Sequence, residues 1–261
     1  MQNEQMLEYI QKYNIESSKI LPKNISIPGF NLNLLYKRLN EARNAFLLLN
    51  DTKMYVDAAL IAGHVLEVCA TIYYIKFAND KELNARKYVA KSSVNTIFSI
   101  LDIDQSDLKD DMYKGIFDEC VGYLAETGHL ILKCPPKNTD KHKYNQNLIS
   151  NLRSMDRTNQ EKRKIVKENY EMPIVNDYLN CFLSGIKQKL QENTTEKAES
   201  LIQAIKVFYF SYCGFKHAGP SIYPGEIKET EIKLNELSPD TYIPAVFLSL
   251  DMVANDPIYI K

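Results

Sequence analysis

The sequence predicts an all-α helical bundle, and three observations carry that expectation. Apolar residues recur at helical spacing in at least six segments, each bounded by Asn, Asp, Gly or Pro breaks. Strand-like alternation is confined to one short stretch, around Ile227, Ile232 and Leu234. One segment, Asp57 to Phe77, is apolar nearly all round yet carries His64 and Glu67, as a helix in the middle of a bundle would. Helices of this kind bury their apolar faces on one another, and sites in such bundles are built from side chains on facing helices.

The elements follow in order. Residues 1–29 are polar and end in the turn signal Ser26-Ile27-Pro28-Gly29, which predicts an N-terminal helix and linker. Leu34, Leu35, Leu39, Ala42, Phe46 and Leu49 predict a helix over 32–49. Asn50-Asp51-Thr52 supplies a break and an N-cap for the apolar helix, which runs to Asn79-Asp80. A third helix is expected over 81–101 and a fourth over 108–132, stopped by Pro135-Pro136. Residues 133–164 hold nine Lys/Arg against three acids and few apolar side chains, which predicts a mobile basic insertion. Helical pattern resumes over 174–190 and 195–217, the second stopped by Gly219-Pro220. A loop with a short strand is expected over 221–240 and a short final helix over 244–254. The domain reading is therefore one bundle over 30–254 that includes the basic insertion, with 1–29 before it and a tail over 255–261.

Composition excludes several classes. The 261 residues are 45% hydrophobic, too many for a disordered chain. With 32 basic and 33 acidic residues there is no global field toward nucleic acid, so such a contact needs a local patch. The five cysteines form no C-x-x-C pair, which fits reduced thiols in a cytosolic protein. No basic region followed by an apolar core opens the chain, so no secretory leader is expected. The stretch 58–77 approaches membrane-spanning length. His64, Glu67 and Lys76 fall inside it, and a central charge costs about 2.5–3.5 kcal/mol on insertion, so a core helix and a cytoplasmic protein without a membrane partner are expected. Walker A, G-x-G-x-x-G, H-E-x-x-H and G-x-S-x-G patterns do not occur, and no cofactor is expected.

Four constellations could carry chemistry. His64 and Glu67, three apart, share one helix face with Asp57, Leu60 and Thr71. Burial of an imidazole and a carboxylate costs several kcal/mol unless they are partnered, so the seam is either a structural contact or the lining of a cleft. The end of the late helix, Tyr209 to Pro220, puts Cys213 and His217 on one face beside Lys216, where the helix C-terminus favours a charged imidazole. Glu126-Thr-Gly-His129 has the Glu-x-x-His spacing of di-metal carboxylate bundles, with His64 and Glu67 as a reversed second pair. The basic tract offers Lys141, Lys143, Arg153, Arg157, Arg163 and Lys164 to a phosphate backbone.

Two of these segments together resemble a known family. Ala59-Leu-Ile-Ala-Gly-His64-Val-Leu-Glu67, followed much later by an aromatic helix ending in Lys216-His217-Ala218, is similar to HEPN-like bacterial helical proteins, including members linked to abortive infection and toxin–antitoxin loci. The resemblance spans residues 30–130 and 173–220. It implies a four- to five-helix bundle, a homodimer, and in active members a metal-independent ribonuclease in which an Arg precedes a His by four to six residues. His217 takes the place of that His, whereas Phe210, Ser211 and Tyr212 stand where the Arg belongs. The cation would then have to come from Lys206, Lys216, Arg38 or Arg43.

Chemically, His217 would act as general acid or base, a lysine or arginine would stabilise charge on the phosphoryl group, and Glu67 would orient His217 or His64. The expected function is RNA binding or cleavage, with RNA and an antitoxin-type protein as partners. The alternatives are a non-catalytic interaction module and a metal-carboxylate bundle.

Overall fold

A computed structural model of the chain describes residues 2–15, 32–76, 80–102, 111–172, 175–191, 195–216 and 238–254. Helix accounts for 84% of the interpretable residues and no strand occurs among them, so the fold is all-α. Among the described residues the helices are α1 (Asn3–Lys12), α2 (Leu32–Asp51), α3 (Tyr55–Lys76), α4 (Lys81–Ile100), α5 (Asp111–Thr127), α6 (Lys141–Arg153), α7 (Asn159–Asn169), α8 (Val175–Gln191), α9 (Thr195–Lys216) and α10 (Pro239–Val253), with a 3₁₀ turn at Gly128–Ile131. They fall into two compact units, one of α1–α3 with α8–α10 and one of α4–α7.

In the first unit α3 is the axis, and α2, α8, α9 and α10 all pack on it. Ala58, Ala62, Val65, Leu66, Cys69, Ile72 and Ile75 are wholly buried. By length and composition α3 could cross a membrane, yet most of it is covered by its neighbours. Two glycines let those neighbours in. The Tyr212 ring of α9 lies where a Cβ on Gly63 would stand, and the Tyr73 hydroxyl of α3 occupies the same place at Gly185 of α8.

Two boundaries in this unit differ from the expectation. Thr52 does not cap α3; its hydroxyl donates back to the Leu48 carbonyl at 2.9 Å. α2 instead closes with the Lys53 amide on the Asn50 carbonyl and the Met54 amide on the Leu49 carbonyl, which requires the left-handed Lys53, φ 60°. α10 starts at Pro239 rather than Pro244, with proline in its first turn and Pro244 inside. Burial of Tyr242, Ile243 and Ala245 to Asp251 outweighs the roughly 3 kcal/mol that an interior proline costs.

The second unit has its own core, in which Val94 and Ile97 of α4 and Val121 and Leu124 of α5 meet Leu148, Ile149 and Leu152 of α6 and Val166 of α7. The stretch 133–164 thus contributes to a core instead of forming a loose insertion. Its starts are well signalled. Asp140 accepts from the His142 and Lys143 amides, and Thr158 with Glu161 forms a capping box. α5 ends at Thr127, short of 132, because Asn145 Nδ2 of α6 takes the Leu124 carbonyl at 2.8 Å. Gln146 takes the Ala125 carbonyl at 3.0 Å. Asn145 is itself held by the Tyr170 hydroxyl at 2.8 Å, and both side chains are buried. The expected loop and strand over 221–240 lie outside the described residues, apart from 238–240, which open α10.

Candidate functional site

The polar seam of α3 meets α9. Glu67 is half-buried, and the Tyr212 hydroxyl donates to its Oε2 at 3.2 Å. Thr71, one turn on, is turned back on its own helix and donates to the Glu67 carbonyl at 2.9 Å. Tyr209 lies beside Tyr212, ring centroids 6.0 Å apart. Its phenol pKa is pushed far up by burial first, then by Cys213, Glu67 and Tyr212, so it remains protonated at any physiological pH. His64 stands half-buried one turn before Glu67. The structure therefore joins Glu67 to the aromatic end of α9. Lys216 is the last residue of α9, and its side chain, like His217, lies outside the described residues.

The cations that could substitute for a missing arginine have separate situations. Arg43 is engaged elsewhere: its guanidinium donates to the Tyr13 carbonyl at 2.6 Å and to Asn40 Oδ1, and burial lowers its pKa. Arg38 is exposed on α2, and Lys206 is half-buried on α9.

A second polar group lies deeper in the same unit. Asp251, 2% exposed, accepts from Lys189 Nζ at 2.7 Å and from the Tyr13 hydroxyl at 3.0 Å. Lys76 is buried and donates to the Tyr36 hydroxyl at 2.9 Å, which reaches the Val253 carbonyl at 3.3 Å. These groups tie α1, α2, α3 and α8 to α10. Sequence reasoning placed Lys76 inside the apolar helix but named no partner for it, and Lys189 and Asp251 carry no pattern that sets them apart from helix-surface charges.

In the other unit the basic tract divides by environment. Lys141 and Lys143 are exposed in the first turn of α6, Arg153 is exposed in its last turn, and Lys164 is exposed on α7. Lys164 approaches Glu168 at 3.9 Å, an exposed pair that contributes little. Arg157 donates to Asn151 Oδ1 at 2.9 Å. Arg163 pairs with Asp102 and lies over the Phe98 ring, 4.2 Å from its centroid. Four of the six predicted phosphate contacts thus face solvent, and two brace the fold.

Glu126 and His129 are not on one helix, since α5 ends between them. Glu126 is exposed. His129 is half-buried in the 3₁₀ turn, its ring 5.4 Å from that of His142. Burial lowers the His129 pKa, and His142 and Arg86 lower it further. Among the described residues no group of three or more His, Cys, Asp and Glu side chains is placed to hold a metal ion, so the metal-carboxylate reading has nothing to rest on there.

Comparisons with protein-family models, with curated proteins and with solved structures find no match for this chain.

Proposed function

We propose that this chain is a HEPN-like helical protein that binds RNA through α6 and α7. The observation that carries the reading is the solvent-facing set Lys141, Lys143, Arg153 and Lys164, mounted on two capped helices with a shared core. Exposed lysines and arginines neutralise phosphates with release of counterions, which is the sequence-independent part of nucleic-acid affinity. Rigid helices hold such charges in register better than a loop does.

Cleavage is the stronger form of the proposal. His217 would serve as general acid or base, Lys216 would stabilise charge on the transferring phosphoryl group, and Glu67 with His64 would position the imidazole. The Glu67–Tyr212 hydrogen bond supports this by fixing the carboxylate against the helix that leads to His217. The test incubates purified protein with single-stranded RNA at low salt, with and without EDTA, beside His217→Ala. Cleavage that survives EDTA and is lost in the variant is expected. Binding without cleavage leaves a binding protein, and no binding at low salt overturns the reading.

A second reading, a helical interaction module, is favoured by a different observation. Leu48, Met54, Tyr55 and Val56 are all exposed around the turn between α2 and α3. A homodimer or a toxin–antitoxin complex in phage defence would cover such a patch. Dimerisation or partner capture that Met54→Lys abolishes, without any RNA affinity, would place the protein there.

A further inference from the structure

The unit of α4–α7 carries a small, open surface pocket of about 200 Å³. Its floor is Ile100 and Leu101, at the end of α4. Tyr113 and Phe117, one turn apart on α5, form an aromatic wall, and Lys114, Asn159 and Lys162 form a polar rim. The volume is below that of a drug-sized ligand site, so it suits one planar ring. An apolar floor, two aromatic rings and two lysines together favour a ring that carries negative charge on its tether.

Each rim residue has a chemical reason to be there. Lys162 Nζ lies 5.6 Å from the centroid of the Phe117 ring. Burial lowers the Lys162 pKa while Asp118 raises it, so its ammonium has lost part of its water and gains most from an arriving anion. Lys114 is exposed at the edge. Asn159, the first residue of α7, offers an amide with both donor and acceptor to a base edge. Arg163 takes up the Asp102 carboxylate nearby.

We propose that this pocket receives one unstacked nucleobase of a single-stranded RNA, with the adjoining phosphate on Lys114 and Lys162. The inference rests on the RNA reading and deepens it by naming the strand form and the anchor. Single-stranded RNA is recognised by such splayed-out bases on aromatic side chains. Discrimination among the four bases should be weak, because every base offers a π-face.

The test compares a single-stranded RNA 9-mer with an abasic 9-mer of identical backbone, by fluorescence anisotropy at low salt. The base-bearing strand should bind about tenfold tighter, a typical stacking gain. That gap should shrink in Phe117→Leu, whereas Lys114→Ala should weaken both strands alike. Equal affinity for the two strands overturns the base pocket and leaves the backbone-binding reading standing. A gap that persists unchanged in Phe117→Leu also overturns it. No binding of either strand overturns both. The abasic strand alters the ligand and not the protein, so the comparison stands even if a variant folds poorly.

Discussion

The two units differ in how much charge they take inside. The unit around α3 takes it inside: Asp251 and Lys76 are buried, Lys189 reaches in from α8, and Arg43 points its guanidinium at a backbone carbonyl. The unit of α4–α7 settles its interior with neutral groups, an asparagine amide and a tyrosine hydroxyl, and leaves Lys141, Lys143, Arg153 and Lys164 in water. It does bury Lys91, as fully as the first unit buries Lys76, and that ammonium reaches the half-exposed Glu171 at 3.4 Å. Buried ion pairs hold elements in one arrangement but leave a large penalty when broken. Surface cations contribute little to stability and remain available to a polyanion. The first unit is accordingly read as a frame and the second as a binding face.

The largest effect should come from breaking the frame. Lys189→Met leaves Asp251 buried with only the Tyr13 hydroxyl, and should lower stability by about 3 kcal/mol in urea unfolding. Gly63→Ala puts a Cβ into the Tyr212 ring and should cost about 1–3 kcal/mol, as over-packing does. In the opposite direction, Lys53→Gly relieves a left-handed residue at the end of α2 and should raise stability by up to about 1 kcal/mol. Replacing Lys141, Lys143, Arg153 and Lys164 together by Ala should leave the unfolding midpoint within about 0.5 kcal/mol of its original value, as surface changes do. A large loss there would break the comparison.

The smallest effect concerns pH. Because the folded protein holds the His129 pKa below its ordinary value, the unfolded chain takes up a proton first as pH falls. Stability is then fully present above the ordinary histidine pKa of about 6.5 and declines as pH drops below it. His129→Gln should flatten that slope between neutral and mildly acid pH, read as melting temperature against pH.

Much of the fold was legible, and the failures share a cause. α3 was readable because a long, nearly unbroken apolar run between two polar breaks leaves few alternatives. α10 was misplaced because Pro244 signals a helix start, and only the buried run around it explains why the helix tolerates proline. The end of α5 depends on Asn145, twenty residues away, so no local pattern could mark it. Residues 133–164 read as an insertion because charge dominates their composition, while a handful of side chains such as Leu148, Ile149 and Leu152 carry the burial.

The site was half legible. The spacing of His64 and Glu67 announced a polar seam, whereas the close approach of α9 at Gly63 did not stand out in a helix already rich in alanine. Tyr212 as the partner was hidden, because Tyr209 and Tyr212 fit equally well as core. Tyr113 and Phe117, four apart, fit the buried stripe of a helix equally well. Lys114 adjoins Tyr113 in the sequence, but only the fold brings Lys162 over Phe117.

If α6 and α7 form a face for RNA, as proposed, affinity must depend on salt. For single-stranded RNA the slope of log K against log salt is about −0.7 per phosphate contact, so four contacts predict a slope of about −3. The fourfold alanine variant should lose most of that slope while keeping its fold. A flat slope in the unaltered protein, or an unchanged slope in the variant, would contradict the account.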